Sequence, residues 1–200
     1  MRPIAKRKIS AFSGQSGFSV LELVAALGVI LVLAAIAMPD FSRAYRLYEL
    51  NSNASRLAGL LKFTRSEAIR RNTPVDFQVQ PTSSGWLAWC DSNNNGVADS
   101  TETQDPVISP MSLLPAGIAP SPNAITALLG PLTTLSGGNA TVAYDQRGAV
   151  LFGGQPQAVY VLYVGNTAYP EYGYRAVVIL PSGIVQVWSA PVGGPWNRIA

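Results

Sequence analysis

The stretch that decides the reading is Phe18-Ser19-Val20-Leu21-Glu22-Leu23-Val24-Ala25-Ala26-Leu27-Gly28-Val29-Ile30-Leu31-Val32-Leu33-Ala34-Ala35-Ile36-Ala37-Met38, an apolar run broken by one charge. A helix of roughly 20 residues, at about 1.5 Å each, spans the hydrocarbon of a bilayer, and this run has that length. A carboxylate in such a segment costs about 2.5–3.5 kcal/mol near the centre and less towards an end. Glu22 lies towards an end, and even there it is expected only with a partner charge. It is the fifth residue counted from Phe18, so an amino group released by cleavage before Phe18 is a candidate partner. An ordinary secretory signal carries its small-residue cleavage site after the apolar core. Here Gly17 stands before it, so the core is expected to stay with the mature chain. A simple membrane anchor is the plainer alternative.

The segment Gly17-Phe18-Ser19-Val20-Leu21-Glu22-Leu23 resembles the prepilin signature of type IV pilins and type II secretion pseudopilins. The resemblance implies that a membrane-embedded prepilin peptidase cuts between Gly17 and Phe18 and methylates the new terminus on Phe18. It implies that Glu22 meets the Phe18 ammonium of a neighbouring subunit during filament assembly. The implied partners are other pilin or pseudopilin subunits, the prepilin peptidase, an inner-membrane assembly platform and the lipid bilayer.

Charge divides the chain at the same place. The leader, residues 1–17, holds Arg2, Lys6, Arg7 and Lys8 and no acid. Removing it takes Lys+Arg from 14 to 10 against 11 Asp+Glu, so the net charge falls from +3 to −1. The pI of 9.2 describes the precursor and is no argument for nucleic-acid binding. A basic leader stays cytoplasmic. The bulk of the chain is then expected beyond the membrane, and the prepilin resemblance implies a bacterial inner membrane, crossed once, with the globular part in the periplasm.

Cys90 is the only cysteine, which excludes an intramolecular disulfide, and histidine is absent. That removes the commonest general base, the usual nitrogen ligand for metals, and any Ser-His or Cys-His nucleophile. Asp and Glu pairs are present, but nothing in the sequence brings two into a cleft, as a glycosidase would need. No phosphate loop, zinc cluster or nucleophile elbow occurs. Catalysis is not expected, and Cys90 reads as a buried thiol beside Trp89.

Pro39 is expected to kink or interrupt the helix. Beyond it, Leu47, Leu50, Ala54, Leu57, Leu61 and Ala68 recur at helical spacing. They form the stripe of an amphipathic helix over residues 39–71, laid on a sheet. Arg43, Arg46, Arg56, Lys62, Arg65, Arg70 and Arg71 read as a solvated face or as partners for acids on neighbouring subunits. Asn72-Thr73-Pro74 ends the helix. Val75, Phe77 and Val79 then alternate with polar residues, the pattern of a half-buried strand. Further strands are expected over 86–90, 141–144, 149–152, 159–164, 175–180 and 184–188. Arg147-Gly148 and Pro181-Ser182-Gly183 mark turns between paired strands. The stretch from Pro106 to Gly138 reads as a long connection with one short strand near Ile125 to Leu129. The expected class is α+β and pilin-like. A long N-terminal helix, 18–38 in the membrane and 39–71 amphipathic, packs on an antiparallel β-sheet domain over 72–200. Those residues suffice for one core.

The text from Arg56 to Gln78, with Leu57-Ala58-Gly59-Leu60-Leu61-Lys62-Phe63-Thr64-Arg65-Ser66-Glu67-Ala68-Ile69-Arg70-Arg71-Asn72 at its centre, resembles the GspH/FimT family of minor pseudopilins and minor pilins. The Trp86 to Glu102 strand and acidic loop and the Gly183 turn resemble it too. The resemblance implies a low-copy subunit, often near the filament tip, of a type II secretion or type IV pilus machine. Some FimT-type minor pilins bind DNA for uptake, and in them the resemblance would place Gly-Arg-x-Arg near the final strands. The comparable Gly183-Ile184-Val185-Gln186 lacks both arginines. From Asn72 onward only Arg147, Arg175 and Arg198 oppose seven acids, a net charge of −4. Phosphate binding needs clustered cations. A DNA-binding minor pilin is therefore the second reading, and nucleic acid is not an expected partner. Trp196, Asn197 and Arg198 could still touch a nucleic-acid strand by stacking, but a packed or frayed tail is the preferred reading.

Asp91, Asn93, Asn95, Gly96, Val97, Asp99 and Glu102 match a calcium loop at positions one, three, five, six, seven, nine and twelve. The ligands would be Asp91, Asn93, Asn95, Val97, Asp99 and Glu102, with Gly96 permitting the turn. Against this, a strand and not a helix leads into the loop, and two asparagines lower its charge. The competing reading is a polar hairpin loop in which Asn and Gly serve turn geometry. No other cofactor is expected.

Overall fold

Helix α1 runs from Val20 to Arg71. The computed structural model describes residues 18–83, 85–108, 111–114, 119–135, 140–151 and 159–200. The chain divides into two compact units, residues 1–42 and 43–200. Pro39 lies inside α1, so the expected interruption does not occur. Proline withholds one backbone N–H and crowds the carbonyl four residues back. In a helix of 52 residues that local loss leaves most of the ladder intact. The leader, Gly17 included, lies outside the described residues.

The end of α1 is a Schellman motif built on asparagine. Asn72 adopts a left-handed φ of 53°. Its N–H donates to the Ile69 carbonyl and the Thr73 N–H donates to the Ala68 carbonyl, both at 3.3 Å. Asparagine tolerates this conformation better than most non-glycine residues, and Pro74 prevents continuation.

Among the described residues eleven strands follow: β1 (Val75–Thr82), β2 (Gly85–Asp91), β3 (Gln104–Ile108), β4 (Met111–Leu114), β5 (Leu132–Thr134), β6 (Ala140–Tyr144), β7 (Val150–Leu151), β8 (Val159–Asn166), β9 (Tyr174–Ile179), β10 (Val185–Ala190) and β11 (Asn197–Arg198). A short helix α2 (Asn123–Leu129) precedes β5, and a 3-10 turn (Pro170–Tyr172) precedes β9. The first sheet has the order β3-β2-β1-β6-β7 and the second β11-β10-β9-β8-β4. Every pairing in these orders is antiparallel; β5 adds a parallel pairing along β8. The strands expected at 75–79, 86–90, 141–144, 159–164, 175–180 and 184–188 are present, with ends shifted by a few residues. Of the strand expected over 149–152, Val150 and Leu151 are observed, and Phe152 lies outside the described residues.

The expected strand at Ile125 to Leu129 is wrong: those residues belong to α2. A short apolar run does not separate helix from strand. Here Ala124, Ala127, Leu128 and Leu129 are strong helix formers and Pro122 precedes the first turn. Only Ile125 of α2 is buried. The connection between Pro106 and Gly138 also holds β4, β5 and the end of β3, none of which the sequence reading anticipated.

The expected stripe on α1 is the centre of the main core. Leu50, Ala54, Leu57, Leu61 and Ala68 are 1 % exposed or less, while Leu47 is half-buried. They share one cluster with Val75, Phe77 and Val79 of β1 and with Leu162, Val164, Val177 and Ile179 of the second sheet. Full burial of one leucine stabilises by about 1.5–3 kcal/mol. The buried Thr64 hydroxyl donates back to the Leu60 carbonyl at 2.9 Å, so it enters this core satisfied. The opposite face of the second sheet forms another cluster with Ile125 and Trp196. β8 and β9 are therefore buried on both faces. That is why they read as continuous apolar runs while β1 alternates.

Two turns tie the sheets to α1. Gly148 and Gly183 both adopt a φ of 77°. The Val150 N–H donates to the Pro181 carbonyl at 2.9 Å, and Arg65 Nε donates to the Gly148 carbonyl at 3.0 Å. A Cβ on Gly183 would collide with that carbonyl oxygen.

Candidate functional site

The first half of α1 is apolar and exposed. Residues 18–45 are exposed, and they include Leu21, Leu23, Leu27, Ile30, Leu31, Leu33 and Ile36. This is the one helix among the described residues long and apolar enough to cross a membrane. Ser19 starts it: its Oγ accepts the Leu21 N–H at 3.3 Å, and its carbonyl accepts the Leu23 N–H at 3.1 Å. Ser19 is thus an N-cap, and Glu22 sits three residues later in the first turn. That Ser-x-x-Glu spacing is the capping-box pattern, and the positive end of the helix dipole favours an acid there. The sequence reading missed this first-turn position of Glu22, although the spacing was legible. Phe18 is 80 % exposed. Gly17, the expected cleavage partner of Phe18, lies outside the described residues.

The basic face of α1 is largely engaged within the chain. Arg46 pairs with Glu49 at 3.0 Å, and Arg56 pairs with Asp105. Arg70 and Arg71 both bind Glu67, and Arg71 also donates to the Ser92 carbonyl at 3.1 Å. Hydrogen bonds first from Arg70 and then from Arg71 outweigh burial and hold the Glu67 carboxyl at about 2, against an ordinary 4.5. Arg65 is spent on the Gly148 turn. Most of these cations are therefore used internally. In the stretch Gly183 to Gln186 all but Ile184 are buried; Gln186 is 7 % exposed, and its Oε1 accepts the Trp188 Nε1–H at 3.1 Å.

The loop over residues 91–102 closes on itself. Asp91 is fully buried; its Oδ1 accepts the Asn95 N–H at 3.1 Å and its Oδ2 the Gly96 N–H at 2.8 Å. The Oδ1 atoms of Asn93 and Asn95 accept the N–H groups of Asn95 and Val97. The side-chain amides of both asparagines donate to Asp99 Oδ2 at 2.8 and 3.0 Å. Glu102 accepts the Ser92 and Asp99 N–H groups at 2.7 and 3.2 Å. Every side-chain ligand of the calcium pattern is thus occupied by donors within the loop, and the asparagine nitrogens face the acid at its ninth position. Among the described residues no group of three His, Cys, Asp or Glu could hold a metal ion. Asp76 lies opposite Asp91 in the β1–β2 register. Burial, and then the Asp91 charge, push its carboxyl up.

Cys90 is 1 % exposed, and burial pushes its thiol up. A buried, protonated thiol is inert. Arg175 was not singled out from the sequence as a site residue. It is 7 % exposed, and none of the ion pairs among the described residues involves it. The signal that could have found it is one charge opening the otherwise apolar run Tyr174-Arg175-Ala176-Val177-Val178-Ile179.

A family model described as type II transport protein GspH matches residues 53–183. The match takes in most of the buried part of α1, the whole first sheet, β4, β5, β8 and β9 of the second and the 91–102 loop; it begins beyond the apolar stretch and ends before β10. No curated protein matches the chain, and no solved structure does. With about two thirds of its length covered by that model, the chain belongs to the type II transport protein GspH family.

Proposed function

We propose that this protein is a minor pilin-like subunit, made with a cytoplasmic leader and held in a bacterial inner membrane by residues 18–38, its globular domain in the periplasm. Prepilin peptidase removes residues 1–17 and methylates Phe18. An assembly platform then moves the helix from lipid into a bundle with the helices of other subunits. The observation that carries this reading is the apolar first half of α1, which nothing in the described chain covers. In the bundle, neighbouring helices replace lipid, and Glu22 selects register by meeting the Phe18 ammonium of the next subunit. A low-copy position near the filament tip follows from the same resemblance.

Two substitutions separate pairing from capping. Glu22→Gln keeps a side chain able to complete the capping box but removes the charge; Glu22→Ala removes both. Pairing predicts that both variants are cleaved normally and that both enter the filament poorly. Normal incorporation of Glu22→Gln in filaments sheared from cells would contradict it.

The 91–102 loop acts as a hydrogen-bonded turn that supports itself without a cation. Its melting temperature should be the same in calcium and in chelator, and a rise with calcium would restore the metal reading. DNA uptake is not favoured, because the cations of α1 are mostly paired and residues 183–186 carry no arginine.

A further inference from the structure

A cavity of about 250 Å³ is lined by Arg43, Leu47, Glu171, Tyr172, Arg175 and Ser189, among others. Arg175 is the buried element in it. Its Nε donates to Asn51 Oδ1 at 2.7 Å and its Nη1 to the Tyr174 carbonyl at 2.8 Å. A guanidinium has five N–H donors in a rigid fork, so part of the fork, including Nη2, has no partner among the described residues. Among the described residues no carboxylate stands at ion-pair distance. Burial pushes the pKa of Arg175 down, yet a guanidinium stays charged. Nη2 is not among the buried atoms left without a partner, so it reaches solvent, and a largely buried cation with open donors is stabilised by an anion that arrives from outside.

The cavity has three further features. Arg43 adds a second cation at its exposed rim. Glu171 and Tyr172 put an acid and an aromatic ring beside the two arginines, an arrangement suited to a cation next to the anion. Arg43 also follows Met38 by five residues in the sequence. The volume lies below the roughly 300–1,000 Å³ of sites for drug-sized molecules and suits one small polar group.

We propose that this cavity holds the headgroup of an amine-bearing phospholipid, its phosphate on Arg175 and Arg43 and its ammonium against Glu171 and Tyr172. The inference rests on the reading of residues 18–38 as the membrane segment. The bound headgroup fixes the depth and rotation of the subunit while it waits in the bilayer, and it is released when the helix leaves lipid.

The test uses the full chain in a maltoside detergent, with short-chain phosphatidylethanolamine, phosphatidylglycerol and diacylglycerol as probes and native mass spectrometry to read retained lipid. Phosphatidylethanolamine should be retained best and diacylglycerol least. Arg43→Ala should weaken phosphatidylethanolamine by roughly tenfold, the scale of one lost charge-assisted hydrogen bond. Glu171→Gln should erase the preference over phosphatidylglycerol, and Lys62→Ala should change nothing. Arg43 and Glu171 are exposed, so neither variant threatens folding. Equal retention by wild type and Arg43→Ala would overturn the proposal, as would a preference for phosphatidylglycerol. Inorganic phosphate binding as tightly as the lipid would assign the cavity to a free anion instead. A partner's acidic peptide displacing the lipid at equal concentration would assign it to a protein contact. Insertion of the wild type into vesicles, read by resistance to alkaline extraction, tests the membrane segment separately.

Discussion

Helix α1 has two halves that obey opposite rules. From Val20 to Ala44 every residue is exposed, and the side chains are apolar on nearly all sides through Met38. From Leu50 to Ala68 the apolar residues form one stripe, and the stripe is buried. Apolar composition alone does not decide burial; what decides it is whether the chain supplies a surface to meet it. The second half finds two sheets. The first half needs a partner of its own kind, and a helix apolar all round is a membrane span or the middle of a bundle. The two acids follow the same division. Glu67 is bound by Arg70 and Arg71 of the same helix, whereas Glu22 forms no ion pair among the described residues.

The comparison breaks most visibly at leucine. Leu57→Ala should destabilise the globular domain by about 2–5 kcal/mol, because Leu57 is fully buried and leaves a cavity. Leu31→Ala, 69 % exposed before substitution, should move the same unfolding transition by no more than about 0.5 kcal/mol. Urea denaturation of the full chain in detergent measures both. Comparable losses would mean that the first half packs on its own domain.

A smaller effect sharpens the contrast between the acids. The folded pKa of Glu67, about 2, lies below its ordinary 4.5. Its stabilising contribution is therefore fully present above about 4.5 and is lost as pH falls through about 2. Wild type should lose urea resistance across that window, and Glu67→Gln should lose less. Parallel curves for the two proteins would show that the pair with Arg70 and Arg71 contributes nothing.

The division of α1 was legible because its two halves differ in period, which is a property of local sequence. So was β1, whose alternation from Val75 to Val79 follows from having one face buried and the other only half-buried. β8 and β9 were legible as apolar runs, but not the reason for them, since the second covered face comes from α2 and Trp196. The segment between Pro106 and Gly138 resisted reading because β4 and β5 are short and owe their existence to pairing with β8, a partner 27 or more residues away. At the site, Glu22 declared itself as the one charge in an apolar run. The isolation of Arg175 depends on which acids the fold leaves far from it, and no spacing rule encodes that.

The central claim is that the exposed half of α1 belongs to the mature protein and begins it. Intact-mass analysis and N-terminal sequencing of the protein recovered from membranes of its own host test this most directly. The account predicts a chain starting at Phe18 with a methylated amine and the apolar helix retained. A mature chain that starts at Met1, or one cut beyond Met38, would contradict it.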